Sequence, residues 1–174
     1  MMHVDSRDEH VKAVYAHFGL AVYLAQVLEH GLVNALVFLE LIPNRAGNPV
    51  PRKQWETEVD SFLERNFETT LGKMIRSLKA VTPIPSDLET VLTDALTKRN
   101  FLAHHFFRER SDEFMSQEGR ERMIEELQNA QALFDAADTK LSEATKSARE
   151  KYGFTDERAE QFLEEHLSKI KHDL

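Results

Sequence analysis

The residues of this chain best suited to chemistry lie in the segment Arg99-Asn100-Phe101-Leu102-Ala103-His104. An arginine binds anions through a rigid fork of donors, and a histidine changes its charge near neutral pH. On a helix, where successive residues are about 100° apart, Arg99 lies near the middle of an apolar stripe. Asn100 and His104, one turn apart, line the edge of that stripe, with Arg108 just beyond. The stripe consists of Leu88, Val91, Leu92, Ala95, Leu96, Leu102, Ala103 and Phe106.

A cation on a buried helix face is costly unless it is paired, so Arg99 requires a partner. Glu29 is the expected partner, because it occupies the apolar seam of the first predicted helix, with Gln26 and Glu40 close by. A bidentate pair would fix the guanidinium in one pose, although a buried ion pair can also serve only to set helix register. We predict a polar cluster that joins Arg99 to Glu29 or Glu40, inside the bundle or at a dimer cleft. Removal of Glu29 is then expected to cost about 3–5 kcal/mol.

The elements that must position these residues are helices. Periodicity predicts an all-α bundle of about five helices, of which the first covers about 6–42, the second about 54–80 and the fourth about 117–152. The first and fourth carry apolar seams in steps of four and three residues. The seams are Val11, Tyr15, Phe18, Val22, Ala25, Glu29, Leu32, Leu36 and Leu39, and Met123, Leu127, Ala130, Phe134, Ala137, Leu141, Ala144 and Ala148. Their similar length predicts two long antiparallel helices, paired within a chain or between the chains of a homodimer.

Proline, glycine and capping residues indicate where these helices begin and end. Pro43 is predicted to stop the first helix and to open an exposed, mobile loop over 44–51. The sequence Ser86-Asp87-Leu88-Glu89 has the pattern of a capping box that begins the third helix. Gly153 is expected just after the fourth helix, and a fifth helix is expected over 155–172 with acidic residues in its first turn.

Composition limits the classes of function. The chain of 174 residues, 41% of them hydrophobic, predicts one globular domain over 1–174. Cysteine is absent, which excludes disulfides and thiolate chemistry and fits a cytoplasmic protein. No run of about 18 apolar residues predicts a membrane span, and Met1–Arg7 lacks the apolar core of a signal peptide. Metal-ligand spacings and Gly-rich phosphate loops are also missing, so neither a metal nor a cofactor is predicted.

Charge is unevenly distributed along the chain. The net charge of −8 argues against a general nucleic-acid coat, which needs a basic face. Residues 94–110, here called the cationic segment, carry an excess of basic over acidic side chains and two histidines. The segment contains Lys98, Arg99, Arg108 and Arg110 against Asp94 and Glu109. Such a segment can hold a local phosphate, or it can be ordinary scatter of charge.

The order Arg99-Asn100-x3-His104, late in the third helix of an all-α chain, resembles the signature of the HEPN domain superfamily. That signature is an arginine, four to six residues and a histidine, often with a polar residue such as asparagine after the arginine. His105 fits the same spacing, so the signature does not choose between the two histidines. The resemblance in fold covers about 6–148, and the motif itself covers six residues.

The resemblance implies metal-independent RNA cleavage in many members and loss of activity in others. It would make His104 the base for a ribose 2′-hydroxyl, Arg99 the group that neutralises charge on the scissile phosphate, and Asn100 an orienting residue. Glu29, His105 and Arg108 would support them. Two motifs meet across a dimer interface in active members, and the family's toxins often have an antitoxin partner. On an ideal helix Arg99 and His104 are about 140° apart, which also favours a shared site in a homodimer.

Three functions therefore remain open from the sequence. The Arg-Asn-x3-His order favours a HEPN-like endoribonuclease or toxin. The acidic composition and the expected neutralisation of Arg99 by Glu29 favour a catalytically silent HEPN-like binding or regulatory module. The third alternative is an unrelated helical interaction protein in which Arg99 and His104 are structural.

Overall fold

The structure, a computed structural model, describes residues 6–172 and contains helices, turns and loops but no strand in that range. The all-α prediction is confirmed, but the described residues form more than the predicted five helices, because the second predicted helix is divided and short helices precede α8. The elements are α1 (Ser6–Leu36), a π-helical segment (Val37–Leu41), α2 (Ile42–Ala46), α3 (Arg52–Phe67), α4 (Leu71–Val81), α5 (Ser86–His104), α6 (Phe106–Glu109), α7 (Ser111–Met115), α8 (Gln117–Lys151) and α9 (Asp156–His172). Residues 1–5 and 173–174 of the predicted domain, and with them most of the segment analysed for a signal peptide, lie outside the described range.

The first helix does not stop at Pro43, contrary to the prediction. Helical structure continues to Ala46, because a π-helical turn precedes the proline. The backbone N–H of Ile42 donates to the carbonyl of Val37, five residues back. Such a wider turn relieves the clash between a proline ring and the preceding turn, so Pro43 fits near the start of α2. The loop is shorter than predicted, over 47–51, and is exposed except at the half-buried Val50.

The second predicted helix is two helices, α3 and α4, separated by a turn at 68–70. The backbone N–H and the hydroxyl of Thr69 both donate to the carbonyl of Asn66, which closes the end of α3. The Asn66 side chain in turn donates to the carbonyl of Phe62. These local bonds compete with helix continuation, as polar side chains commonly do at helix ends.

The two long helices α1 and α8 run parallel, so the antiparallel prediction was wrong. The side chain of Gln131 donates to the His17 carbonyl at 2.9 Å, and the Phe38 and Phe154 rings are 5.5 Å apart. Residue numbers in these contacts increase together along both helices, so the two helices run in the same direction. The reason is the turn at 68–70, which adds a fourth reversal of the chain between α1 and α8.

The core lies where α1 packs along α8, with α5 and α4 closing its sides. The predicted seam of α8 is buried from Met123 to Leu141 and departs from the buried face only near its end, whereas the predicted seam of α1 is rotated relative to the buried face in its first half. Tyr15 is 53% exposed while its neighbour Val14 is buried, and in α8 Thr145 is buried instead of Ala144. A straight helix drifts away from a strict seven-residue repeat, which accounts for the shift late in α8.

The observed helix ends agree only in part with those predicted from the sequence. Gly153 has a φ of 76° just after α8, as predicted. The capping box at Ser86 is not formed, because α5 begins at that residue after Pro85 and no side chain caps it. Asp87 and Glu89 pair instead with Lys140 of α8 and Lys79 of α4.

Helix α9 forms as predicted, but its four large apolar residues are all exposed. These are Phe162, Leu163, Leu167 and Ile170.

One helix of the described range, Asp8–Ala46, is long and apolar enough to cross a membrane by length and composition. The sequence analysis did not anticipate it, since isolated polar residues interrupt every apolar run. The core helix of a globular protein meets the same criterion, and α1 packs against α3, α4, α5 and α8. Only 33% of its most apolar window is buried, however, so one face of α1 leaves apolar side chains exposed.

Candidate functional site

The predicted ion pair between Arg99 and Glu29 is present. Because α5 crosses α1 in the opposite direction, Arg99 Nε donates to Glu29 Oε1 at 3.1 Å. The two side chains are 33% and 18% exposed, respectively. The contact is a single hydrogen bond rather than the expected bidentate pair, and Glu40 takes no part because it lies in the π-helical segment about three turns further along. The pair holds one edge of the guanidinium and leaves its outer nitrogens accessible.

Asn100 and a small apolar groove adjoin this ion pair. The Asn100 Oδ1 atom lies 3.5 Å from Arg99 Nη1, and the Asn100 side chain is exposed. The groove beside Arg99 has a volume of about 250 Å³. Its remaining walls are Phe18, Val22, Ala25 and Gln26 of α1 and Leu102 and Ala103 of α5. Arg99 is therefore a half-exposed cation at the rim of an apolar depression.

The environments of His104 and His105 differ. His104 is the last residue of α5, is exposed, and makes no hydrogen bond within the described residues. His105 leaves the helix, and its Nδ1 lies 2.6 Å from Arg108 Nη2 and 3.5 Å from Glu109 Oε1. Since a guanidinium only donates, Nδ1 of His105 is the acceptor in that contact. One of its two ring nitrogens is thus already engaged, whereas both nitrogens of His104 are open to a ligand.

The cationic segment is largely neutralised by carboxylates from other helices. Glu126 of α8 accepts from Arg110 Nε at 2.8 Å and from Lys98 Nζ at 3.3 Å. Burial raises the pKa of Glu126, but the hydrogen bonds from Arg110 and Lys98 outweigh it and leave that pKa below its ordinary value. The hydrogen bond from Arg110 to Glu126 also raises the pKa of Arg110, although burial lowers it. The local excess of positive charge is therefore smaller than the sequence indicated, and Arg108, 71% exposed, is its most accessible cation.

The energetic cost of removing Glu29 depends on how well water can solvate Arg99. Because Arg99 is one-third exposed, water can solvate the guanidinium once Glu29 is gone, so we expect Glu29→Gln to lower the free energy of unfolding by about 1 kcal/mol. This value replaces the 3–5 kcal/mol expected for a fully buried pair. Urea denaturation of Glu29→Gln beside Glu9→Gln, whose carboxylate pairs with Lys12 on the surface, measures it. A loss above 3 kcal/mol would mean that water does not solvate the Arg99 guanidinium when Glu29 is removed.

Two buried or half-buried charged residues of α8 were not predicted from the sequence. Arg120 is only 4% exposed, and its Nη1 donates to the Phe114 carbonyl at 2.9 Å. It stands three residues before Met123, where an extension of the seam would have found it. Asp138 is half-buried, and its pKa is raised by burial and then by the nearby Asp135. No periodicity marked Asp138, because it lies beside the seam.

No family model, no curated protein and no solved structure matches this chain. The resemblance to the HEPN superfamily therefore depends on the six-residue motif and its helical context. What the geometry adds is a half-exposed arginine fixed by a carboxylate, with an exposed asparagine beside it and an exposed histidine at the end of the same helix.

Proposed function

We propose that the protein is a HEPN-like, metal-independent endoribonuclease in which Arg99, Asn100 and His104 act on the scissile phosphate of RNA. The proposal depends on the hydrogen bonds and the exposure of these three side chains. Arg99 is held at the rim of its groove by Glu29 yet keeps free donors, and Asn100 lies 3.5 Å from it. His104, one turn after Asn100, has both ring nitrogens available, which favours it over His105 as the base.

The proposed reaction needs only these groups. The His104 imidazole takes the proton of the ribose 2′-hydroxyl, and the resulting oxygen attacks the adjacent phosphorus. The bond from phosphorus to the 5′-oxygen breaks, and that oxygen takes a proton from solvent. Arg99 compensates the negative charge that grows on the phosphate oxygens, and Asn100 orients the phosphate. Because the nucleophile is the 2′-hydroxyl, DNA is not a substrate.

A second copy of the chain completes the proposed site. Arg99 and His104 are about 140° apart around α5, so one copy cannot easily direct both side chains at one phosphate. The exposed side of α1 beside the groove carries Tyr15 at 53% and Tyr23 at 60% exposure. Exposed apolar patches of this kind mark interaction surfaces. A two-fold dimer through this face would bring Arg99 of one protomer towards His104 of its partner. An antitoxin covering the same face would block the site.

The experiment is incubation of the purified protein with a mixture of cellular RNA in the presence of EDTA, followed by analysis of the new ends. The expected products carry 2′,3′-cyclic phosphate and 5′-hydroxyl ends, and a DNA of matched sequence stays intact. Cleavage that requires a divalent metal, or that leaves 5′-phosphate ends, contradicts the proposed chemistry.

A catalytically silent HEPN-like module is the second candidate, and the neutralisation of the site favours it. Glu29 pairs with Arg99, and Glu126 pairs with both Lys98 and Arg110, so two carboxylates engage three of the four cations of the segment and leave a smaller net positive charge. A protein of this kind would bind a partner through the groove without cleaving RNA. Complete absence of cleavage by the dimeric protein, at every protein concentration tested, would favour this candidate.

A further inference from the structure

A second, polar cleft lies between α1 and α8, on a different face of α1 from Arg99. It has a volume of about 270 Å³ and is bounded on the α1 side by His30, Gly31 and Asn34. Three polar residues of α8, Asp138, Ser142 and Arg149, form much of the opposite wall. The proposed ribonuclease chemistry uses none of these residues, so the cleft needs an explanation of its own.

Asp138 places a carboxylate in this cleft without a partner. Among the described residues it accepts no hydrogen bond and forms no ion pair, although it is half-buried. Gly31 provides the space for it, since a Cβ atom at that position would lie 2.6 Å from Asp138 Oδ1. A half-buried carboxylate without a donor is an unfavourable arrangement that a bound donor would relieve.

Arg149 places a guanidinium in the same cleft. Its side chain reaches back along α8, and Nη2 donates to the carbonyl and the hydroxyl of Ser142 at 3.2 and 3.0 Å. Its Nε is buried without a hydrogen-bond partner and is out of reach of a ligand, so Nη1, which makes no hydrogen bond within the described residues, is the nitrogen open to a carboxylate. Ser142 follows Asp138 by one helical turn, about 6 Å along the axis. The two opposite charges thus share the cleft without forming an ion pair with each other.

We infer that this cleft binds a small zwitterion of amino-acid size, with its ammonium group on Asp138 and its carboxylate on Arg149. A simple anion would be repelled by Asp138, and a simple cation by Arg149, so only a ligand with both charges satisfies both residues. Because Arg149 Nη2 contacts Ser142, one helical turn from Asp138, the two charged residues are placed for a molecule whose ammonium and carboxylate groups are separated by one or a few carbon atoms. The Asn34 and Thr145 side chains add polar atoms to the walls, and the volume of about 270 Å³ lies just below the range of about 300–1,000 Å³ for pockets that hold drug-sized ligands, which limits the ligand to a small molecule.

A binding test needs variants that remain folded. We expect Asp138→Asn to have a higher free energy of unfolding than the wild type. Burial and the neighbouring Asp135 raise the pKa of Asp138 on folding, with His30 and Arg149 the other titratable groups of the cleft. Its ionised form therefore weakens the folded state, and this penalty appears as the pH rises through the raised pKa. Asp138→Asn should raise the free energy of unfolding at pH 7, and the gain should vanish below the ordinary aspartate pKa of about 3.9. Urea denaturation at both pH values measures it, and a gain that persists at pH 3 contradicts this cause.

Isothermal titration calorimetry with each free L-amino acid tests the inference on the full chain, with acetate and methylamine as probes of one charge each. At least one amino acid should bind with a Kd below 1 mM, and both single-charge probes should bind at least tenfold more weakly. Asp138→Asn and Arg149→Gln should each weaken binding by about 10- to 100-fold, because each removes one charge-assisted contact. Glu143→Gln, an exposed carboxylate of α8 outside the cleft lining, is the matched control and should bind as the wild type does.

Two results would overturn the inference. One is that no amino acid binds with a Kd below 1 mM to wild-type protein that unfolds cooperatively. The other is binding that acetate reproduces or that Asp138→Asn retains. Gly31→Ala provides an independent check, because its methyl group would displace the Asp138 carboxylate and should abolish binding while the protein remains folded.

Discussion

His104→Ala should lower the rate of RNA cleavage by about 10²–10⁴-fold, the range by which a positioned acid or base accelerates a reaction. His104 is exposed and makes no hydrogen bond within the described residues, so its removal should leave the free energy of unfolding unchanged. Arg99→Ala should reduce the rate by about 10²–10³-fold through loss of charge stabilisation on the phosphate. The matched control is His105→Ala, which removes the neighbouring ring that is tied to Arg108 and should retain most of the activity. Rates are measured on a labelled RNA with EDTA present.

The same two variants distinguish a site shared between protomers from a site within one chain. When inactive Arg99→Ala and inactive His104→Ala are mixed in equal amounts and allowed to exchange subunits, half of the dimers contain one copy of each. If a site takes Arg99 from one protomer and His104 from its partner, one of the two sites in each mixed dimer is intact. About one quarter of the wild-type activity should then return. A mixture that stays inactive despite exchange contradicts a shared site, and activity in the single His104→Ala variant contradicts the role of that histidine.

The sequence predicted the Arg99–Glu29 contact because its cause is general. An arginine on an apolar stripe must find a carboxylate, and Glu29 was the carboxylate in the apolar seam of α1, against which α5 packs. The sequence did not predict which carboxylates neutralise Lys98 and Arg110. Glu126 lies 28 residues from Lys98 on a different helix, and only the antiparallel packing of α5 and α8 brings them together. A charge count along the chain cannot include such partners.

Chain direction was the largest error in the predicted fold, and it came from one short turn. The residues at 68–70 include neither proline nor glycine, the residues that most often mark a turn, so 54–80 read as one helix. Once the chain reverses there, α8 must run parallel to α1. The polar cleft depends on the same packing, since it brings Gly31 against Asp138 and leaves Arg149 on its rim. No spacing within either helix contains that information.

The tightest backbone contact at any glycine of the described chain is at Gly119, in the first turn of α8. A Cβ atom there would overlap the carbonyl oxygen of Glu113 in α7 and would lie 2.5 Å from the Glu113 Cα. Backbone atoms cannot rotate away as a side chain can, so an alanine requires α7 to move. That movement would also strain the bond from the buried Arg120 to the Phe114 carbonyl, because Phe114 is the next residue of α7.

We therefore expect Gly119→Ala to lower the free energy of unfolding by about 2–3 kcal/mol, the usual cost of forcing extra atoms into a packed site. The matched control is Gly19→Ala in α1, where a Cβ atom would meet nothing within 4 Å. That variant should be as stable as the wild type or more stable by up to about 1 kcal/mol, because alanine is the better helix former. Urea denaturation of the two variants measures the difference, and equal stabilities would mean that α7 does not pack on α8 as described. Since Arg110 immediately precedes α7, Gly119→Ala should also weaken the Arg110–Glu126 pair and alter the surface next to His104.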